Sequence, residues 1–261
     1  MVSLSKIVAL VLGFNIGLFL LPLVGGYDCR LLPQSVIKND SPNQTVVNVP
    51  NYLHLPFSRL LCIPDGEGTK STDRVIEMGV KDRQLIIDFD GKINGSNSIK
   101  LIDIFIDHVR DPSIDTILLR LNTEGGDVEI GMRLAQLIAS YPKTVTCYVD
   151  EYSASMGFYI LQACPFREMA PDAILLTHEP FSVIPESSLN KYELKERLDS
   201  LEEMSNSMAD FIAKRMYMKV EDYVSKIKDA DWKMDSEEAL QVHAVDKIRN
   251  HYLIYPIDWS N

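Results

Sequence analysis

From Arg83 onward the chain alternates two hydrophobic periods. Leu85-Ile86-Ile87-Asp88-Phe89 reads as a strand, and the segment from Gly91 to Gly95 as a turn. Ile99, Ile102, Phe105, Ile106 and Val109 then share one helical face, with Ser98 as the expected cap and Asp111-Pro112 as the stop. Thr116 to Leu121 is a second, almost wholly apolar strand. After the turn Asn122 to Asp127, Ile130, Leu134, Leu137 and Ile138 mark a second helix that Pro142 ends. Thr144 to Val149 is a third strand. It leads through Ser153-Ala154-Ser155 into a helical pattern of Met156, Tyr159, Ile160 and Ala163. Ile174 to Thr177 is a further strand and Phe181 to Asn190 a loop. Leu194, Leu198, Leu201, Met204, Met208, Phe211 and Ile212 give a long helix over Lys191 to Met218, its stripe serving as core, as interface or as both. Short helices are expected over Val220 to Lys228 and from Asp235-Ser236 through His243, and a closing strand over Val245 to Ile248. Buried-type strands alternating with helices predict an α/β domain with a parallel sheet covered by helices.

Upstream the pattern is different. Ile7 to Val24 carries no charge, follows a single Lys6, and ends near Pro22 and Val24-Gly25-Gly26. Its length lies between a secretory signal's apolar region and a membrane span. Residues 1–26 are therefore expected to be a membrane anchor or a cleaved signal peptide. Either places the rest of the chain outside the cytoplasm, membrane-anchored or secreted/periplasmic. Residues 27–82, with five prolines, read as a linker holding short extended pieces such as Leu60 to Ile63. Residues 83–250 form the domain and 251–261 a tail. Asn43 and Asn94 begin glycosylation-type triplets.

Composition narrows the function. The chain of 261 residues is 46% apolar and carries a formal charge of −11. No Lys/Arg cluster stands out, which argues against nucleic acid as a partner. Cys29, Cys62, Cys147 and Cys164 form no CxxC pair, so no metal site is expected. Cys147 and Cys164 sit in apolar patterns and read as buried thiols. Cys29 and Cys62 could pair with each other in an exported chain.

Three polar residues follow strand or helix ends. Ser155 stands where a strand becomes a helix, so free N–H groups and the helix dipole lie near its hydroxyl. The plainer reading is that Ser153 and Ser155 only start a helix. His178 follows an apolar strand, and Asp231 precedes Trp232. At the carboxyl ends of parallel strands such groups converge. A serine, a histidine that titrates near neutral pH and an aspartate that orients it suit acyl transfer. Gly125-Gly126 follows a strand and precedes a helix, a turn able to aim N–H groups at an oxyanion. His54, His108, His243 and His251 read as structural or solvated. Asp229 rivals Asp231.

Four motifs in order carry a resemblance. Asn122-Thr123-Glu124-Gly125-Gly126, Ser153-Ala154-Ser155-Met156-Gly157, Thr177-His178-Glu179-Pro180, and Asp231-Trp232-Lys233-Met234 with Ser236-Glu237-Glu238-Ala239 resemble the Clp protease proteolytic subunit (ClpP) family over about Arg83 to Arg249. The resemblance implies a Clp/crotonase-like fold of repeated ββα units, with the helix from Lys191 as a protruding handle. It implies a serine endopeptidase with Ser155 as nucleophile, His178 as base, Asp231 as its partner, and the N–H groups of Gly126 and Met156 as oxyanion hole. Asp231 is preferred to Asp229 because it keeps register with Ser236-Glu237-Glu238-Ala239. A homo-oligomer acting on peptides or unfolded polypeptide is implied, with no cofactor. Glu124 departs from the family's proline. The leader replaces the family's entrance region, so the expectation is an exported or tethered peptidase without an ATPase. A crotonase-type acyl-CoA enzyme and an inactive ClpP-like scaffold are the alternatives.

Overall fold

Leucine and β-branched runs assemble into one sheet. The computed structural model describes residues 27–31, 60–64, 76–181, 190–228 and 230–250. β1 (Tyr27–Leu31) and β2 (Leu60–Pro64) form a separate antiparallel pair in which Cys29 lies opposite Cys62. The main sheet runs through β3 (Ile76–Lys81), β4 (Gln84–Asp90), β5 (Thr116–Thr123), β6 (Thr144–Ala154), β7 (Phe166–Met169) and β10 (Lys247–Ile248), each beside the next. β4, β5, β6, β7 and β10 pair in parallel, and β3 is antiparallel to β4. The crossovers α1 (Gly95–His108) and α2 (Val128–Ala139) join β4 to β5 and β5 to β6. This is the Clp/crotonase-like fold expected from the motifs.

β6 is the longest strand of the sheet, and its two halves have different partners. Thr146 to Val149 pair with β7, whereas Tyr152 to Ala154 pair with β8 (Ile174–Thr177). β8 in turn pairs antiparallel with β9 (Trp232–Met234). The sheet therefore forks at the end of β6, where α3 (Met156–Ala163) departs. Around α3 pack α2 and the buried end of α4 (Lys191–Arg215), the latter through Tyr159 on Phe211 with ring centroids 5.1 Å apart. Met208, Phe211 and Ile212 are buried, but Tyr192, Leu194 and Leu198 on the same helix are exposed. The apolar stripe of α4 is thus core at one end only. α5 (Val220–Ile227) and α6 (Ser236–Gln241) complete the domain.

Several sequence expectations change. Helix α1 is capped by Asn94, whose side chain accepts the Asn97 N–H at 2.9 Å, and Ser98 is a buried residue inside the helix. The segment expected to be linker contains β3, joined to β4 through Asp82 and Arg83, both with positive φ. Such a turn usually announces itself with Asn-Gly or Asp-Gly. Here an arginine fills the second position, and its guanidinium is tied to Asp115 at 2.6 Å. β7 stands where the sequence suggests connecting chain, because Arg167 and Glu168 interrupt its apolar pattern. Both are buried and paired, with Asp246 and Arg249 respectively. Cys147 and Cys164 are not free thiols; they form a disulfide that ties β6 to the end of α3 across 17 positions. No helix among the described residues is long and apolar enough to cross a membrane. The apolar leader, Asn43, His54, Asp229, His251 and the tail fall outside the described residues.

These ties should be measurable as stability. Closing a loop of this length by a disulfide contributes about 3 kcal/mol, so Cys147→Ala/Cys164→Ala should lower Tm by roughly 6–12 °C in calorimetry. An unchanged Tm would show the link contributes nothing. Burial tends to raise the Asp246 carboxyl, but hydrogen bonds and charge from Arg167 outweigh it and hold it below its ordinary value. A depressed folded-state value means this stability is full above about pH 4 and is lost as pH falls through the folded value. Asp246→Asn leaves Arg167, 1% exposed, without its carboxylate. Because Asp246 is 41% exposed, the expected cost lies at or below the low end of the roughly 3–5 kcal/mol for a broken buried pair. Urea unfolding at pH 7 and pH 3 should show that the difference shrinks in acid.

Candidate active site

The strand-to-helix junction makes a sharp turn. Ser155 has φ +54° and ψ −118°. A side chain in that region costs on the order of 1–3 kcal/mol unless the surroundings over-determine it. They do so here from three directions. The Ser155 N–H donates to the Leu176 carbonyl at 2.9 Å, and its own carbonyl accepts the Tyr159 N–H at 3.1 Å. Gly125 presses against the turn from the third side: a Cβ there would lie 2.8 Å from the Ser155 Cβ and 2.9 Å from the Met156 nitrogen. The Ser155 side chain makes no capping bond to α3. It is therefore not a simple helix starter. Ser153, by contrast, is fully buried.

The glycine turn is knitted to the segment before α1. Ile93 N–H donates to the Gly125 carbonyl, and Asp127 N–H to the Ile93 carbonyl, both at 2.8 Å. By strand alternation, the Gly126 N–H between them points away from Ile93. A Cβ on Gly126 would lie 2.2 Å from the Ile93 carbonyl oxygen, so only glycine fits. Met156 is the first residue of α3, where an N–H has no partner within the helix. Gly126 shares an open cleft with Ser155, and Met156 follows Ser155 directly in the chain. Glu124 forms a rim ion pair with Lys92 at 2.9 Å, so its charge beside the glycines is met by a cation. No sequence signal points to Lys92.

Ser155 and His178 line the same open cleft, about 860 Å³ in volume, with Gly125 and Gly126 on one wall and Arg197, Leu201 and Met204 of α4 on the other. They also line a smaller, more enclosed cavity behind it. The His178 ring stacks on Phe181 at 5.7 Å. Its Nδ1 is 2.7 Å from the Glu179 carbonyl oxygen. A carbonyl only accepts, so Nδ1 carries the proton, and neutral imidazole then offers the Nε2 lone pair. Asp231 is exposed and takes no part in that bond. Its backbone is nevertheless close. β8 and β9 pair Thr177 with Trp232, and one further step of that register sets His178 opposite Asp231. Ser155, His178 and Gly126 thus line the open cleft, Ser155, His178 and Met156 line the smaller cavity, and Asp231 lines neither. Among the described residues no cluster of His, Cys, Asp and Glu could hold a metal.

Thr177 and Tyr223, joined hydroxyl to hydroxyl at 2.6 Å, close the cavity behind the site. Sequence reasoning passes over Tyr223, which looks like any apolar-face aromatic of a short helix.

A parallel α/β sheet of the Clp/crotonase type, with a serine on a strained elbow beside a histidine and a glycine turn, defines the class. The family model described as Clp protease matches residues 68–251, and the chain belongs to that family. Among curated proteins it is similar to the ATP-dependent Clp protease proteolytic subunit 2 of Cutibacterium acnes, 26% identical over 191 residues, covering 71% of this chain and 85% of that one. It is likewise similar to subunit 1 of Protochlamydia amoebophila, 28% identical over 189 residues, covering 70% and 88%. The solved structure of a ClpP1 point mutant from Listeria monocytogenes shares the fold, with a TM-score of 0.57, 20% identity, and 64% of this chain and 91% of that one covered.

Gly125→Ala would push backbone against backbone at the Ser155 turn. Its reaction with a fluorophosphonate is expected to slow by about 10²–10³-fold, the effect of one lost oxyanion donor. Circular dichroism should stay unchanged. A wild-type labelling rate would show that the glycine contact does not shape the site.

Proposed function

We propose that the chain is a ClpP-type serine endopeptidase. The reading is carried by one observation: a strained, uncapped Ser155 faces the same cleft as a His178 whose Nδ1 is already protonated. In the reaction the Ser155 Oγ attacks the peptide carbonyl carbon and its proton passes to His178 Nε2. The Gly126 and Met156 amides hold the resulting oxyanion. The imidazolium returns the proton to the leaving amine as the C–N bond breaks, and water then hydrolyses the acyl-enzyme by the same route. Asp231 completes the triad when Nδ1 exchanges the Glu179 carbonyl for its carboxylate, a short move given their facing backbone positions. Carboxylate in place of carbonyl stabilises the imidazolium that forms.

Family members assemble into oligomers and hydrolyse peptides, and the exposed Tyr192, Leu194 and Leu198 of α4 suit burial in such an assembly. The uncharged run Ile7 to Val24 supports export, either tethered or cleaved free. The Cys147–Cys164 disulfide supports the same placement, since disulfides persist in oxidising compartments. Outside the cytoplasm there is no ATP, so the enzyme works on accessible peptides without an ATP-driven partner.

A fluorophosphonate is expected to label the wild-type protein at Ser155 and to leave Ser155→Ala unlabelled, while a fluorogenic peptide is cleaved only by the wild type. Equal labelling of both proteins, or of neither, would rule out Ser155 as nucleophile.

A further inference from the structure

The smaller, less open cavity lined by Ser155 and His178 has a volume of about 20 Å³. That is room for about one water-sized group. Its position gives it a role. A peptide carbonyl held between the Ser155 Oγ and the amides of Gly126 and Met156 places its own side chain within a few ångströms of the hydroxyl. The open cleft takes the extended chain, and the narrower space that also touches both Ser155 and His178 is this cavity.

Its walls are large and already packed. Tyr159 is fully buried and held by Phe211 of α4. Tyr223, 1% exposed, is pinned by its hydroxyl bond to Thr177, the residue before His178. Ile212 and Ile227 are 3% and 5% exposed. Met208, 8% exposed, and Met156, 1% exposed, are the flexible side chains that line it.

Resting on the peptidase reading, we propose that the enzyme cleaves after small residues, namely alanine, serine and glycine, and that Met208 and Ile212 set this limit. A methyl or hydroxymethyl group fills the available space. A leucine or phenylalanine side chain meets Met208 and Ile212 from one side and the Tyr223 ring from another. In a packed pocket each methylene that does not match changes discrimination by about 10–200-fold. The preference is steric: apart from Ser155 and His178 themselves, the polar side chains lining the cavity are Ser205, Tyr159 and the Thr177–Tyr223 hydroxyl pair.

The test uses the full chain and acetyl-Ala-Ala-Xaa coumarylamides that differ only in Xaa. For the wild type, kcat/KM with Xaa alanine or serine is expected to exceed that with leucine by at least 10-fold, and that with phenylalanine by more. Met208→Ala and, separately, Ile212→Ala should raise kcat/KM for leucine at least 10-fold relative to alanine. Fluorophosphonate labelling of Ser155 in each variant shows that the site is folded. A wild-type enzyme that labels at Ser155 but prefers leucine or phenylalanine overturns this inference and leaves the peptidase reading standing. No labelling and no cleavage of any member of the series overturns both.

Discussion

A backbone conformation that serine would not adopt by itself organises the functional half of this molecule. Ser155 is kept at positive φ because its neighbours leave nothing else. Leu176 fixes its amide, the first turn of α3 fixes its carbonyl, and the glycine turn occupies the space into which it would relax. The close approach of Gly125 in turn depends on Ile93, which threads between the carbonyl of Gly125 and the amide of Asp127. Strain of this kind persists only where packing over-determines it. The result is a hydroxyl presented at a helix N-terminus rather than spent on capping that helix.

The fork in the sheet is the second requirement. Had β6 kept one partner along its length, its final residues would lie in a closed sheet with no cleft. β7 leaves it after Val149 and β8 takes over from Tyr152, so His178 emerges next to the serine. That arrangement needs the far edge of the domain to be tied down by other means. Arg167 does this from inside, reaching Gln162, the Arg215 carbonyl and Asp246. Arg215 adds bonds to the carbonyls of Gln162 and Cys164. Buried guanidinium groups are costly unless fully satisfied. Here their partners are the ends of α3, α4 and the closing segment, so the cost is offset only when all three are docked.

The proposed chemistry departs from a finished triad at one point. His178 has its tautomer set by the neighbouring Glu179 carbonyl, which orients the ring without supplying a charge. A carbonyl can hold the proton on Nδ1 as a carboxylate does, but it stabilises imidazolium far less. Engagement of Asp231 would supply that missing charge. The Lys92–Glu124 pair occupies the rim where the family resemblance led one to expect proline. Being well exposed, it contributes little stability, on the order of 0–1 kcal/mol; its effect is to set a cation against the Glu124 charge beside the glycine pair.

Much of this architecture is legible in the chain. The apolar runs place β4, β5, α2, β6, α3 and α4 because each carries a strong local apolar pattern, whether buried on one face as in β4 or all round as in α3. Ser155, His178 and the glycine pair are recognisable as candidates because a nucleophile, a base and a tight turn each restrict residue type. What stays hidden depends on partners distant in sequence. Arg167 and Glu168 look like loop residues until Asp246 and Arg249 neutralise them, so β7 is concealed. The turn at Asp82 and Arg83 lacks a glycine, and β3 disappears with it. Two buried cysteines reveal nothing of their pairing until β6 and the end of α3 are brought 5.9 Å apart at their Cα atoms. Likewise Thr177, Met208, Ile212 and Tyr223 form a wall only where β8, α4 and α5 meet. Local order follows from each segment's own periodicity, but the shape of a cavity and the charge state of a buried pair are properties of surfaces that exist only after those segments have packed.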